Sequence, residues 1–198
     1  MIINVPTQRA DFAAIAQWIT RDTHVLDLGC GDGTLLHYLQ STRNVTGYGV
    51  EIDDHNVLAC VNNGINVIQS DLEQGLAEFA DHSFDYVVLS QTLQAMRNSE
   101  RIMQEMLRVG RAGIITFPNF GYWKNRLQVL SGGMPVSQNL PYAWYDTPNI
   151  HHCTIADFEA FCAARKIHIL ARTVLTNGET VRLWPNFYGE LAVYHFGG

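Results

Sequence analysis

Residues 24–36 read His-Val-Leu-Asp-Leu-Gly-Cys-Gly-Asp-Gly-Thr-Leu-Leu. A short apolar run ends in glycines at three alternate positions, and a helical pattern starts directly after the last of them. Glycine tolerates positive φ and lets other groups approach its backbone closely. A strand that turns sharply on such residues into a helix is the opening βα unit of an α/β sheet. A strand with apolar residues on both faces must be covered on both, so the rest of the chain has to supply neighbouring strands and covering helices.

It does so in alternation. A helix is expected at Asp11–Thr20, where Phe12, Ile15, Ala16 and Ile19 share one face. Strands are expected at 24–28, 45–52, 66–69, 84–89 and 113–117, with helices at 34–39, 54–63 and 99–109 between them. Asp53 or Asp54 can cap the third helix, and Asn63-Gly64 can end it. After Pro118 the pattern changes. A helix over 120–130 is expected to stop at Gly132-Gly133, and residues 133–153, rich in Pro, Asn and aromatics, read as an insertion lying over the strand ends. Thr154, with Asp157 three residues on, starts another helix. Strands at 167–174 and 191–196, with a turn at Asn177-Gly178, complete seven strands. No repeat, linker or low-complexity tract divides the 198 residues, so a single domain over 1–198 is expected.

Composition narrows the partners. The 13 Lys and Arg are scattered and the net charge is −6, which provides no basic face for nucleic acid or anionic lipid. Cys30, Cys60, Cys153 and Cys162 form no C-x-x-C pair, and a chain this long is stable without disulfides, so reduced thiols are expected. The first residues lack the basic start and long apolar stretch of a signal peptide, and no apolar run approaches about 18 residues. A cytoplasmic protein is the expectation.

In doubly wound sheets, ligands bind beyond the carboxyl ends of the strands. The loop there is Asp27-Leu28-Gly29-Cys30-Gly31-Asp32-Gly33. It is not a P-loop, because no Gly-Lys-Ser/Thr follows, and its G-x-G-x-G spacing differs from the dinucleotide fingerprint. The acids Asp27 and Asp32 repel a pyrophosphate but suit a ligand with a cationic amino-acid part. Glu51 closes the second strand, where a carboxylate can accept bonds from both hydroxyls of a ribose. Asp71 follows the third strand; by itself it also reads as a helix cap. Acids at the ends of three consecutive strands form a joint pattern.

That pattern resembles the first motif of the class I S-adenosylmethionine-dependent methyltransferases. The resemblance implies their Rossmann-like fold, a mostly parallel seven-stranded sheet with helices on both faces. It also implies that Asp71 reaches the adenine amino group, that Leu72 packs on the ring, and that Ser90 and Gln91 line the methionine side. The candidate cofactor-binding residues are Asp27, Leu28, Gly29, Cys30, Gly31, Gly33, Glu51, Ile52, Asp71, Leu72, Ser90 and Gln91, and the cofactor is S-adenosylmethionine or S-adenosylhomocysteine.

Four downstream segments are more specific: FDYVVLSQTLQA (84–95), EMLRVGR (105–111), FPNFGYWKNRLQVLSGG (117–133) and LPYAWYDTPNIHHCTIADFEAFC (140–162). They resemble the MetW family of methionine-biosynthesis proteins. The resemblance implies a partner or activator of homoserine O-acyltransferase, with no firmly attached methyl acceptor. A methyltransferase acting on a small molecule is the alternative, and a scaffold with a vestigial pocket is a third reading, opposed by the intact acids and glycines.

No catalytic residue is assigned. Tyr142, Tyr145, Asp146, His151 and His152 are the general-base candidates. Adjacent ligands rarely serve one ion, so His151-His152-Cys153 is not expected to hold a metal. Pro118-Asn119-Phe120 reads as a turn, and Cys30 as a packing residue. Tyr122, Trp123, Tyr142, Trp144 and Tyr145 read either as a satellite core or as a partner surface or lid.

Overall fold

The computed structural model describes residues 9–197. Helix α1 (Ala10–Trp18) precedes β1 (His24–Leu28), followed by α2 (Thr34–Arg43), β2 (Thr46–Glu51), α3 (Asp54–Asn62), β3 (Val67–Gln69), β4 (Phe84–Ser90), α4 (Ser99–Val109) and β5 (Gly110–Pro118). The remainder is α5 (Trp123–Leu130), α6 (Ile155–Ala164), β6 (His168–Thr176), β7 (Glu179–Thr180), α7 (Pro185–Tyr188) and β8 (Leu191–Gly197). The strands form one sheet in the order β3-β2-β1-β4-β5-β8-β6-β7. From β3 to β5 all pairs are parallel, and β8 runs antiparallel to both β5 and β6. The order reverses between β1 and β4, which makes their carboxyl ends the crevice of a doubly wound sheet.

Side chains of successive strand residues point to opposite faces, and the core divides accordingly. Leu26, Leu28, Val87, Leu89, Ile115 and Phe117 face a cluster with α4 and α6, built on Met103, Met106 and Phe158. Val25, Val88 and Ile114 face a second cluster with α1, α2 and α3, built on Phe12, Ile15, Leu36 and Cys60. Helices therefore cover both faces.

The sheet has eight strands rather than seven. The extra one is β7, the two-residue return of a hairpin turning on Asn177 (φ 50°) and Gly178 (φ 82°); positive φ at both central positions matches the twist of a hairpin. The helix expected from residue 120 starts at Trp123 instead. The three preceding residues are held otherwise: Phe120 N–H donates to Cys153 O, and Gly121 N–H to Asn119 Oδ1. Residues 131–154 contain no helix or strand beyond an isolated bridge between Ser137 and Leu140. No helix among the described residues is long and apolar enough to cross a membrane.

Candidate functional site

The glycine loop crosses from β1 to α2 in a left-handed path: Gly29, Gly31 and Gly33 have φ of 65°, 55° and 80°. A Cβ at Gly33 would stand 2.9 Å from Ile65 Cγ1, so glycine is required there by space as well as by φ. The loop is clamped by Glu51. Its Oε2 accepts from Gly31 N–H at 2.8 Å, and its Oε1 accepts from the N–H groups of Ile52 (2.8 Å) and Asp53 (3.0 Å). A carboxylate offers roughly four acceptor positions, so about one remains for a hydroxyl.

Asp27 is the opposite case. It is 1% exposed, and neither carboxylate oxygen has a hydrogen-bond partner among the described residues. Burial pushes its pKa from 3.8 up to about 7, against an opposing pull from Arg9 and with a further push from Glu51. A buried carboxyl without donors is costly, and such orphans concentrate where a ligand completes the bonding.

The other expected residues fall around these two. Leu28 is fully buried in the cluster under α4 and α6, so only its backbone can reach a ligand. Cys30 packs 3.7 Å from Cys60 Sγ, and burial holds its thiol far above the usual range, in line with a packing role. Ile52 is 60% exposed just past β2. Asp71 Oδ1 accepts from Glu73 N–H and caps the 3-10 turn Leu72–Gln74, while Leu72 is partly buried against the core. Ser90 and Gln91 close β4; Gln91 has φ 54°, and its N–H donates to both Thr116 O and Thr116 Oγ1 at 3.0 Å. Sequence reasoning missed Arg9, Asp11 and Thr116. Asp11 is 1% exposed and accepts from Arg9 Nη2 at 2.5 Å and from Gln91 Nε2 at 3.3 Å. The available signal was its spacing: Asp11, Ile15 and Ile19 recur every fourth residue, which puts a carboxylate on the buried stripe of a helix.

The general-base candidates lie elsewhere, on residues 131–154. Tyr142, Trp144 and Tyr145 are exposed, at 49%, 72% and 76%, whereas Tyr122 is buried. The aromatics thus divide between core and surface. Met134, Val136 and Leu130 are exposed nearby in sequence. His152 stacks on Phe120, and burial lowers its pKa, aided by His151. These two histidines, with Leu93, Met103, Phe117, Phe158 and Cys153, line an apolar cavity of about 230 Å³. The Cys153 thiol is pushed up to about 12 by burial, which keeps it protonated and unreactive. Asn119, the centre of the expected turn, is fully buried. Its Nδ2 donates to Gly189 O and Asn186 O, and its Oδ1 accepts from the N–H groups of Gly121 and Ile155. No group of three or more His, Cys, Asp or Glu among the described residues is arranged to hold a metal.

Known proteins share this fold. A Haloferax volcanii structure, of a complex between the Trm112 methyltransferase activator and a methyltransferase, superposes with a TM-score of 0.70 at 13% identity, covering 94% of this chain and 87% of that one. An S-adenosylmethionine-dependent methyltransferase from Mesorhizobium loti also gives 0.70, at 14% identity, covering 96% and 98%. At such identities the likeness concerns the fold, which is that of the class I methyltransferases. A curated relative, the bifunctional methionine biosynthesis protein MetXA/MetW of Rhodopirellula baltica, is 40% identical over 161 residues, 76% of this chain and 26% of that protein. The chain thus spans about a quarter of the relative's length. Residues 9–196 match the family described as methionine biosynthesis protein MetW. Over nearly its whole length, this chain belongs to the MetW family.

Proposed function

We propose that this protein binds S-adenosylmethionine or S-adenosylhomocysteine at the carboxyl ends of β1–β4 and acts as a partner or activator of homoserine O-acyltransferase. The observation that carries the ligand assignment is the pair of orphaned Asp27 oxygens beside a glycine loop already held open by Glu51. The residues fit such a ligand. Asp27 suits a cationic amino-acid part, the remaining acceptor position of Glu51 a ribose hydroxyl, and exposed Ile52 an apolar ring face. Asp71 Oδ2, without a partner among the described residues, suits the amino group of an adenine. When bound, the sulfonium form would supply an activated methyl group; positioning by the protein would then provide most of any rate.

The partner reading is supported by the Rhodopirellula baltica relative, which joins MetXA and MetW in one chain. Two units covalently linked meet at a high effective concentration, so a fusion favours units that work together. The exposed Tyr142, Trp144 and Tyr145 offer the aromatic anchors that interfaces favour.

The test has two arms. Calorimetric titration with S-adenosylhomocysteine should show saturable binding; none would refute the ligand assignment. Copurification with homoserine O-acyltransferase, and assay of that enzyme with and without this chain, should show a complex and a changed rate; an unchanged rate with no complex would refute the partner role. Methyl transfer is a second reading, favoured by the 230 Å³ cavity at the ends of β4 and β5 and by His152 in its lining, whose pKa burial lowers. Production of S-adenosylhomocysteine from labelled cofactor in a cell extract would support it.

A further inference from the structure

The glycine loop rests on two sulfurs whose contact the ligand assignment does not use. Cys30 lies within the loop and Cys60 in the last turn of α3, and their Sγ atoms stand 3.7 Å apart in the buried core. Each thiol is seated against a glycine. A Cβ at Gly49 would lie 2.3 Å from Cys30 Sγ, and one at Gly33 would lie 3.1 Å from Cys60 Sγ, so glycine at both positions makes room for sulfur. Cys60 Sγ donates to Gly31 O at 3.1 Å, and Asn63 Nδ2 donates to Asp32 O at 3.0 Å. The end of α3 thus holds two carbonyls of the loop, while Glu51 holds the N–H of Gly31 from β2. The two sulfurs already touch. An approach of about 1.7 Å would bring them to the S–S bond length of about 2.05 Å.

We propose that Cys30 and Cys60 form a redox modification site, at which a peroxide makes a reversible disulfide that weakens ligand binding by the loop. The bond itself is independent of the ligand assignment above; its effect on binding rests on that assignment. One peroxide balances the step. Cys30 is 7% exposed and Cys60 fully buried, so the Cys30 sulfur attacks a peroxide oxygen first. The O–O bond breaks, one water leaves, and a sulfenic acid remains. The Cys60 sulfur then displaces its hydroxyl as a second water. The two thiols lose two electrons and two protons, and a dithiol reductant returns them. Burial, with the nearby Asp27 and Glu51, keeps both thiols protonated, so the reaction is slow and the reduced form is the resting one.

The bond changes what the loop rests on. Cys60 no longer has a hydrogen for Gly31 O. Cys30 N–H is held by Val50 O at 3.1 Å and its sulfur is wedged over Gly49, so β2 resists its movement. The shift therefore falls on Gly31, Asp32 and the end of α3, and it disturbs the Gly31 bond to Glu51.

The test uses the whole chain before and after hydrogen peroxide. The wild type should lose two of its four thiols to a chromogenic thiol reagent under denaturing conditions, and peptide mapping should find Cys30 linked to Cys60. Calorimetric affinity for S-adenosylhomocysteine should fall at least about tenfold, the scale of a lost hydrogen bond to a charged group, and should return on reduction. Cys60→Ser keeps a donor for Gly31 O, so its affinity should stay within about threefold of the reduced wild type and should not respond to peroxide. A link through Cys153 or Cys162, or no linked peptide, would overturn the site. A Cys30–Cys60 bond with unchanged affinity, or a Cys60→Ser chain that responds as the wild type does, would overturn its effect on binding. A reduced wild type that binds no S-adenosylhomocysteine would overturn the ligand assignment, while the linked peptide would still establish the modification site.

Discussion

The glycine loop at 27–33 and the irregular segment at 131–154 lie at the same end of the sheet and are built in opposite ways. The loop is short, and Glu51 holds it through backbone N–H groups. Its one unsatisfied feature, Asp27, is a single buried carboxyl. The segment has almost no repeating hydrogen bonds of its own and turns Tyr142, Trp144 and Tyr145 outward. A preorganised polar cleft suits a small charged ligand, and an exposed aromatic surface suits another protein. The two functions proposed for this chain therefore fall on separate structures, and substitutions should separate them.

The largest expected separation is at Asp27. Asp27→Asn should weaken S-adenosylhomocysteine binding by at least about 100-fold, because the ligand's α-ammonium group loses its buried counter-charge. The unligated protein should respond in the opposite direction. The folded-state pKa of Asp27 is raised from 3.8 to about 7, so ionising it costs more in the folded chain than in the unfolded one. The penalty is absent below about pH 4, grows as pH rises through the interval up to about 7, and is complete above it. Asp27→Asn should therefore raise the melting temperature of the unligated protein at pH 8, by a free energy on the order of 2–4 kcal/mol. That gain should vanish as the pH approaches 4. A variant that is destabilised at pH 8 would mean that Asp27 is bonded within the fold, and the contrast with the segment would fail.

The second separation is at Asn119, which ties the base of the segment to the sheet. Its amide bonds to four backbone groups, at Gly189, Asn186, Gly121 and Ile155. Asn119→Ala should lower stability by about 3 kcal/mol, because buried backbone groups lose their partners. Chemical denaturation would measure it, and a change below about 1 kcal/mol would show that water replaces the amide.

These two residues also show what the sequence discloses. Strands β1, β4 and β5 were legible as short apolar runs buried on both faces, and β2 and β3 by their place between helical patterns that repeat at 3.6 residues. Asp27, Glu51 and Asp71 stood out as candidates because each lies at or just past the carboxyl end of a strand. Asn119 read as an ordinary turn residue, since nothing local marks it as the hub of four contacts, two of them about 70 positions away. Arg9 and Asp11 were missed for the same reason: they meet Ser90 and Gln91 across about 80 positions. Strand β7 and helix α7 span two and four residues, too few to show any period.

A smaller effect is expected on the outward face. Trp144→Ser combined with Tyr145→Ser should weaken the complex with homoserine O-acyltransferase by about 2 kcal/mol, the scale of an interface anchor. S-adenosylhomocysteine affinity should not change, and stability should stay within about 0.5 kcal/mol, because both side chains are exposed. An unchanged complex would move the partner surface elsewhere, and a loss of ligand affinity would show that the two regions are coupled.

The smallest effect lies where the segment ends. Thr154 and Asp157 form a reciprocal capping box at the start of α6: Thr154 Oγ1 accepts from Asp157 N–H at 3.2 Å, and Asp157 Oδ2 accepts from Thr154 N–H at 3.0 Å. Those bonds hold Asp157 below the usual carboxylate range. Thr154→Ala should cost about 1 kcal/mol, the usual worth of such a cap. Because α6 packs Phe158 beneath β5, and Cys153 just before the cap accepts from Phe120, the loss should loosen the segment's root without reaching the glycine loop. Hydrogen exchange would then quicken over residues around 150–158 and not over 27–33. Equal acceleration in both regions would mean that segment and loop open as one unit, and that ligand and partner are read by a single cooperative structure.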